Sequence, residues 1–308
     1  MCRRALWSPR CVRCPASRVR TRATPWAARP RTGVSRVRII GEGFLATNLT
    51  AAFGDRFPDW TAIASGVSST STATPAAYER EARLVHDVLD DCLRDRRRLL
   101  FFSTASFAMY GFPEGEAAES DPVSPPNAYG RHKLALERAI GSSGAGHLVL
   151  RLSHVVGRHQ RAHQLLPTLV RSVLAGEVTV HEGAHRDLVD VADLLQAVGR
   201  LLADDVTGEI LNVASGVPQP VESVVSGIER RLGVTARHVS RPGSPAVTRA
   251  SVSRLRALVP EFRADVADED YLDALLDTYL PYYTALSDGS APSDGSALSY
   301  GLTPLPGR

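Results

Sequence analysis

The chain has 308 residues, of which 44% are hydrophobic and 22% are charged, a composition typical of a folded protein with a substantial core. Its net charge of +3 arises from residues 1–36, which hold ten arginines and no acid; the remainder carries 26 basic and 33 acidic side chains, a net charge of −7. An acidic body argues against a nucleic-acid partner, and without an apolar run of about 18 residues we expect no membrane span.

The arginine-rich head, residues 1–36, shows no apolar periodicity, so we expect it to be disordered. Such a head is typical of an organellar transit peptide, but we favour a translation start near Val34. Only Cys92 of the four cysteines lies in the body, which predicts no disulfide framework and a reducing, cytoplasmic location. Cys11 and Cys14 lack a second ligand pair at suitable spacing, so we predict no metal site.

The first ordered segment reads as strand, glycine turn and helix. Residues 37–40 are a short strand, and Gly41, Gly43 and Ala46 follow at the spacing of a dinucleotide-binding turn. Such a turn places a pyrophosphate at the helix N-terminus; the alternative is a purely structural strand–helix turn. The predicted cofactor-binding residues of this turn are Gly41, Gly43, Phe44, Leu45 and Ala46.

An acidic residue that would hold the adenosine ribose is missing from its usual place at the end of the second strand. The next predicted strand, 57–65, ends in Ala-Ser-Gly without an acid. The sequence therefore does not distinguish NAD from NADP.

Helices and strands alternate through the rest of the chain, which predicts a parallel sheet covered on both faces. The predicted helices are 75–94, 128–141, 164–175, 186–203, 221–232 and 269–284. The predicted strands are 98–102, 147–152, 177–181 and 209–213. We expect one domain over 37–285 and a disordered tail, 286–308, which repeats Ser-Asp-Gly-Ser-Ala.

Tyr129 and Lys133 are four residues apart in a predicted helix and would share one face. An ammonium beside a phenol favours the phenolate and lowers the tyrosine pKa, which suits proton transfer. Lys133 is the only lysine among 36 basic residues, which indicates a site that needs a compact ammonium. The alternative is a pair of neighbours on a solvated helix face.

Six segments, taken in order, resemble the extended short-chain dehydrogenase/reductase family, the nucleotide-sugar epimerases and dehydratases. The segments are 41–46, 105–111, 124–133, 150–157, 186–193 and 211–216. The resemblance covers residues 36–284 and implies a Rossmann-like, doubly wound parallel α/β sheet. It also implies a smaller C-terminal substrate lobe, mainly from 154–185 and 215–285.

This resemblance implies that Tyr129 is the acid/base and that Lys133 tunes it and holds the nicotinamide ribose of NAD or NADP. Counting back from Tyr110 makes Ser106 the hydroxyl that binds the reacting oxygen, whereas counting forward from the strand makes it Thr104; we favour Ser106. The implied catalytic residues are Ser106, Tyr129 and Lys133. The implied cofactor contacts add Ala64, Ser65, Tyr129 and Lys133 to the glycine turn. The implied substrate contacts are Thr104, His154 and Arg186.

Three departures from the family pattern stand out. Phe107 and Ala108 occupy the positions of the acidic pair of the dehydratases, which argues against dehydration. His154 replaces the usual asparagine. Residues 64–66 resemble the end of the fourth strand, so the second and third strands are expected to be missing. A direct passage to that place would need a left-handed crossover; alternatively, the strand takes the second strand's place or the connection loops around.

We predict an NAD(P)-dependent nucleotide-sugar epimerase or ketoreductase that acts on a small molecule and forms a homodimer. Arg186 favours a diphosphate-bearing substrate, since guanidinium groups bind phosphate bidentately, although an Arg-Asp pair is often a local salt bridge. The alternatives are a non-catalytic dinucleotide or sugar-nucleotide binding protein and a hydroxysteroid-like dehydrogenase.

Overall fold

The computed structural model describes residues 36–68, 73–113, 115–243, 247–263 and 267–287. The predicted leader and tail lie outside these ranges, apart from residue 36 and residues 286–287. Among the described residues, no helix combines the length and apolarity needed to cross a membrane.

The described strands and helices alternate along the chain. The strands are β1 (Arg38–Ile40), β2 (Trp60–Ile63), β3 (Arg98–Thr104), β4 (Glu116–Ala117), β5 (His147–Leu152), β6 (His154–Val156), β7 (Glu177–His181), β8 (His185–Arg186), β9 (Leu188–Asp190), β10 (Glu209–Val213), β11 (Gln219–Pro220), β12 (Arg237–Arg241) and β13 (Arg249–Ala250). The helices are α1 (Phe44–Phe53), α2 (Pro75–Asp95), α3 (Phe107–Tyr110), α4 (Ala128–Ser142), α5 (Leu165–Leu174), α6 (Val191–Ala203), α7 (Val221–Leu232), α8 (Ser253–Leu258) and α9 (Tyr271–Ser287).

A parallel sheet of five strands, in the order β1-β2-β3-β5-β10, forms the centre of the fold. Alternate residues of β3 face opposite sides: Leu100 and Phe102 pack with α1 and α6, whereas Leu99 and Phe101 pack with α2 and α4. Helices therefore cover both faces, and the predicted doubly wound parallel α/β sheet is confirmed.

The start of the sheet resolves the question of the missing strands. In the order 3-2-1-4 of a dinucleotide-binding sheet, the second strand and the fourth strand lie on opposite sides of the first. Here β1 is the sheet edge among the described residues, and β2, β3, β5 and β10 follow it in order on one side. The helix after β1 packs on one face, whereas the helices after β2 and β3 pack on the other. The helices of such a sheet change face between the first and the fourth strand, so β2 lies in the fourth strand's place. Strands corresponding to the second and third are absent from the described chain.

The connection through α1 has the opposite hand to the next two connections. Strands β1, β2, β3 and β5 follow one another across the sheet in a single direction, all parallel. Helices α2 and α4 pack in the core on one face, whereas α1 packs with α6 on the other. Since right-handed connections are strongly favoured, we infer that the β1–α1–β2 connection is the left-handed one.

A second core lies beyond the sheet and is built from the chain after β5. It brings together α5, α7 and α9 with β7, and its largest buried side chains are the tyrosines of α9. Strand β12 pairs in parallel with β7 beside this core. The role of this lobe in binding substrate stays a prediction.

The predicted helix 186–203 begins later than expected. Residues 185–186 and 188–190 form β8 and β9, and β9 pairs with β6; α6 starts only at Val191. Asp190 ends the strand and caps the helix, because its Oδ1 accepts a hydrogen bond from the Ala192 N–H at 2.8 Å. The predicted strand 57–65 is likewise shortened to Trp60–Ile63.

Candidate active site

The candidate site lies at the carboxyl ends of the parallel strands. The glycine turn follows β1, residues 64–67 follow β2, and the hydroxyl-bearing segment that contains Thr104 and Ser106 ends β3. Because the strands are parallel, these three segments lie together beyond the carboxyl ends of the strands, where ligands bind in open α/β folds.

The glycine turn packs directly against the loop after β2. A Cβ on Gly41 would lie 2.6 Å from the carbonyl oxygen of Ala64, and the φ of Gly41 is +133°. Gly43 precedes α1, while Ala46 is buried beneath the turn. Phe44 is also buried, and Leu45 is partly buried. The structure therefore brings Gly41 and Ala64, two of the predicted cofactor contacts, into close proximity.

A glycine between the two predicted catalytic positions allows α4 to approach the end of β3. A Cβ on Gly130 would lie 1.6 Å from the carbonyl oxygen of Ala108, so no larger residue fits there. Asn127 caps α4 by accepting a hydrogen bond from the Gly130 N–H at 2.8 Å. The helix thus begins directly beside α3, with Tyr129 on its first turn.

Tyr129 belongs to a chain of three hydroxyl groups. The Thr104 hydroxyl lies within hydrogen-bonding reach of the Tyr129 hydroxyl, and Thr104 Oγ1 is 2.8 Å from Ser106 Oγ. Ser106 also caps α3, since its Oγ accepts from the Ala108 N–H at 3.3 Å. Thr104 is therefore the immediate partner of Tyr129 and Ser106 is one step away. Which of the two hydroxyls meets a substrate stays a prediction.

The acidity of Tyr129 differs from the sequence-based expectation. Burial, the negative charge of Glu81 and the neighbouring Tyr78 raise the pKa of Tyr129, and the hydrogen bond from Thr104 opposes them only in part. Lys133 does not lower this pKa, because its Nζ donates to Glu81 Oε1 at 2.7 Å and its charge is compensated there. The Lys133 Nζ lies 5.9 Å from the centre of the Tyr129 ring.

Glu81 is the residue of this site that the sequence analysis did not identify. It lies on α2 with its side chain 1% exposed. Its helical position, three residues after Tyr78 and four before Val85, falls within the apolar stripe of α2. An acid at such a position could have indicated a buried ion pair from the sequence alone, because a buried carboxylate requires a partner.

Two of the three predicted substrate residues, His154 and Arg186, lie beyond the carboxyl end of β5, apart from Thr104. Burial and the nearby Arg186 guanidinium lower the pKa of His154 to about 4, so its imidazole is neutral at pH 7. Burial also lowers the pKa of Arg186, whose Nη1 donates to the carbonyl oxygen of His185 at 2.7 Å. Among the described residues, no carboxylate forms an ion pair with Arg186.

Asp187 does not pair with Arg186. Its two oxygens accept hydrogen bonds from the backbone N–H groups of Ser215 at 2.7 Å and Gly216 at 2.9 Å. The Arg-Asp sequence is therefore no local salt bridge, and the Arg186 guanidinium stays available for an anion. Within the described ranges, no group of three or more His, Cys, Asp or Glu side chains is arranged to hold a metal ion.

Comparisons with known proteins agree on one family. Residues 31–214, more than half of the chain, match the model of the NAD dependent epimerase/dehydratase family.

Curated relatives match over part of their length. The chain is 32% identical to dTDP-6-deoxy-L-talose 4-dehydrogenase (NAD(P)(+)) of Kitasatospora kifunensis, over 38% of this chain and 40% of that protein. It is 31% identical to UDP-glucose 4-epimerase of Streptomyces lividans, over 52% of this chain and 56% of that protein. The chain thus spans about half the length of the curated relatives it matches.

Solved structures share the fold at low sequence identity. MoeE5 in complex with UDP-glucose and NAD superposes with a TM-score of 0.70 at 20% identity, covering 82% of this chain and 99% of that one. WbmG of Bordetella bronchiseptica in complex with NAD and UDP gives 0.67 at 19% identity, covering 82% and 96%. At these identities the likeness supports the Rossmann-type fold and nothing finer.

Proposed function

The chain belongs to the NAD dependent epimerase/dehydratase family, and on this premise we propose that it is an NAD(P)-dependent epimerase or ketoreductase of nucleotide-linked sugars. One observation carries the proposal: a close-packed glycine turn lies at the carboxyl ends of the strands together with Tyr129, Lys133 and two hydroxyl groups.

The residues at the nicotinamide and pyrophosphate ends fit a dinucleotide. Gly41 and Gly43 keep the backbone open in front of α1, whose N-terminal N–H groups and dipole favour a pyrophosphate. Lys133 supplies an ammonium next to Tyr129, where ribose hydroxyls would bind. When bound, the nicotinamide exchanges a hydride with a carbon of the sugar.

The protein's own part in the reaction is proton transfer and positioning. Tyr129 gives its hydroxyl proton to the sugar oxygen in reduction and takes one from it in oxidation. The raised pKa of Tyr129 keeps the proton on the phenol, which suits the acid role. Thr104 and Ser106 donate hydrogen bonds that orient the reacting oxygen and Tyr129.

Arg186 supports a substrate that carries phosphate. Its guanidinium is partly buried, has no carboxylate partner among the described residues, and lies beside a neutral His154. Guanidinium groups bind phosphate oxygens bidentately. The relatives named above act on dTDP- and UDP-linked sugars according to their names, which supports the same class of substrate.

The test of this proposal starts from the purified full chain. Mass spectrometry of released ligands, followed by assays with UDP- and dTDP-hexoses and either cofactor, distinguishes the two activities. Tightly bound NAD with turnover in its absence from the buffer identifies an epimerase, whereas a strict need for added NADPH identifies a reductase. No turnover with any of these sugars, despite cofactor binding, contradicts the proposal.

A second candidate is a non-catalytic dinucleotide or sugar-nucleotide binding protein. The observation that favours it is the shortened sheet, in which β1 is the edge and no acid follows β2. The retained Tyr129, Lys133 and hydroxyl chain favour the enzyme. A cytoplasmic location and a homodimer through α2 and α4 are further proposals, the second of which sedimentation analysis would test.

A further inference from the structure

Glu81 contacts three groups on two neighbouring segments. Its Oε1 accepts from Lys133 Nζ at 2.7 Å, its Oε2 lies 3.0 Å from His132 Nε2, and Oε2 also accepts from the Val67 N–H at 3.0 Å. One carboxylate of α2 therefore holds both the catalytic face of α4 and the loop after β2.

The loop after β2 is fitted closely to this carboxylate. A Cβ on Gly66 would lie 2.2 Å from Glu81 Oε1, and the φ of Gly66 is +142°. The same loop contains Ala64, which packs against Gly41 of the glycine turn. Glu81 is thus in contact with the loop that borders the cofactor side of the site.

Lys133 is held with one donor left over. An ammonium has three N–H donors. Glu81 takes one at 2.7 Å, and the Phe102 carbonyl oxygen takes a second at 3.3 Å. No third acceptor contacts Lys133 Nζ within the part of the chain that the structure describes, so one N–H is available to a ligand hydroxyl.

A purely structural ion pair exists one turn further along α4 and provides a comparison. Glu137 binds Arg151 through both carboxylate oxygens, at 2.6 to 3.2 Å, with side chains 1% and 4% exposed. Arg151 also donates to Tyr110, so that pair links α4 to β5 and α3. It does not contact Lys133 or Tyr129, unlike the carboxylate of Glu81.

We propose that Glu81 is the positioning residue of the site: it fixes Lys133 and the loop after β2 in one arrangement, directs the remaining Lys133 N–H toward the cofactor ribose, and withholds the ammonium charge from Tyr129. This inference rests on the proposed function for its ribose step only. The titratable groups around the carboxylate are Lys133, His132 and Tyr129 of α4 and Tyr78 of α2, while the loop contributes a backbone N–H.

The single lysine of the chain makes this proposal directly measurable. Protein labelled with ¹³C,¹⁵N-lysine, produced without a lysine-containing tag, gives one side-chain ammonium resonance. In Glu81→Gln we expect this resonance to move and its hydrogen-exchange protection to fall at least tenfold, because the charged acceptor is lost. Glu137→Gln, the matched control, should lower stability and leave the Lys133 resonance in place.

Cofactor titrations separate this inference from the proposed function. We expect NADH or NADPH to perturb the Lys133 resonance of the wild type. In Glu81→Gln, the same perturbation should require a cofactor concentration about tenfold higher. A wild-type resonance that ignores both cofactors overturns the ribose step and the proposed function, while its dependence on Glu81 still tests the positioning of Lys133.

The acidity of Tyr129 gives a second measurement. In Glu81→Gln the limb of the pH–rate profile that Tyr129→Phe removes should move to lower pH, whereas Glu137→Gln should not move it. If Glu81→Gln does not fold, Glu81→Asp, which keeps the charge and withdraws it from Lys133, should change the same resonance in the same direction. A Lys133 resonance and a pH profile identical to those of Glu137→Gln overturn the proposal.

Discussion

Tyr129 is a tyrosine whose surroundings favour the protonated phenol. Burial and the Glu81 carboxylate raise its pKa, and Thr104 is its hydroxyl partner. If Tyr129 transfers the proton, Tyr129→Phe should lower kcat about 10²- to 10⁴-fold and change the cofactor Kd less than threefold, since only the hydroxyl is lost. Steady-state kinetics and nicotinamide fluorescence measure both quantities.

The control for this variant is Tyr282→Phe. The Tyr282 hydroxyl accepts from the His159 N–H at 3.2 Å, away from the hydroxyl chain. It should leave kcat within about threefold. Unchanged turnover in Tyr129→Phe would remove Tyr129 from the mechanism.

Thr104 and Ser106 can be distinguished by parallel variants. Sequence counting favours Ser106, whereas the geometry makes Thr104 the direct partner of Tyr129. If Ser106 binds the reacting oxygen, Ser106→Ala should lower kcat/KM about 10- to 100-fold, because a hydrogen bond to a charge-bearing oxygen contributes about 1.5–3 kcal/mol. Thr104→Val should then lower kcat/KM by a smaller factor than Ser106→Ala does. If Thr104→Val lowers kcat/KM more, the role belongs to Thr104.

At the scale of elements, two aspartates, the buried Asp187 and the half-buried Asp190, connect β8, β9 and α6 to the rest of the fold in different ways. Burial raises the pKa of Asp190 from 3.8 to about 6, against hydrogen bonds from Tyr279 and the Ala192 N–H. A raised pKa means that the folded state binds the proton more tightly than the unfolded state. The stabilisation from this proton is full below pH 3.8 and is lost as the pH rises through about 6.

Asp190→Asn should therefore raise the free energy of unfolding at pH 7.5 by an amount bounded by about 3 kcal/mol, the cost of the 3.8-to-6 shift. Both hydrogen bonds reach Oδ1, so an asparagine oxygen can accept them. The gain should vanish near pH 4. Denaturant unfolding at both pH values tests this, and a variant that is equally destabilised at both would contradict it.

Asp187→Asn is the contrasting variant. Asp187 accepts backbone N–H groups on both oxygens, so an amide would place a donor against a donor. We expect Asp187→Asn to lower the free energy of unfolding at pH 7.5 by about 1–3 kcal/mol, the cost of leaving a buried donor without an acceptor. Denaturant unfolding measures this change.

The elements that the sequence predicted well are those with long periodic patterns. Helices α2 and α4 and strands β3 and β5 lie where the apolar spacing placed them, within one or two residues at most ends. Arg186 of β8 and the whole of β9 were predicted as helix, because strands of two or three residues show no periodicity and their partners, β11 and β6, are distant in sequence. Glu81 was missed because its charge interrupts a stripe that was otherwise apolar.

The site was predictable to the extent that its residues occur in short, ordered segments. Tyr129 and Lys133 share a helix, so their common face follows from spacing alone. The pairing of Lys133 with Glu81 joins residues 52 positions apart and depends on how α2 packs against α4. The sequence therefore indicated the ammonium but not the carboxylate that compensates its charge, and so predicted the wrong direction for the pKa of Tyr129.

At the scale of the whole molecule, the described sheet starts at the first strand of the dinucleotide-binding order 3-2-1-4, and the two strands that would lie outside it are not present. β1 is the edge of the described sheet, and α1 lies on the face opposite α2 and α4. In the proposed cofactor site, the nicotinamide end would lie beside the ends of β2, β3 and β5, whereas the adenosine end would lack the strands that usually flank it.

This asymmetry predicts weak recognition of the adenosine half of the cofactor. The residues after β2, from Ala64 to Thr74, contain no acid that could bind the ribose hydroxyls or repel a 2′-phosphate. We expect NADH and NADPH to bind with Kd values within about tenfold of each other. Reduced nicotinamide mononucleotide should likewise bind within about tenfold of NADH, because most contacts lie on the nicotinamide side. Fluorescence titration of the three compounds against the full chain measures this directly. A preference above a hundredfold for NADH over the other two compounds would show that the chain recognises the adenosine half strongly. That result would contradict weak adenosine recognition beside β1.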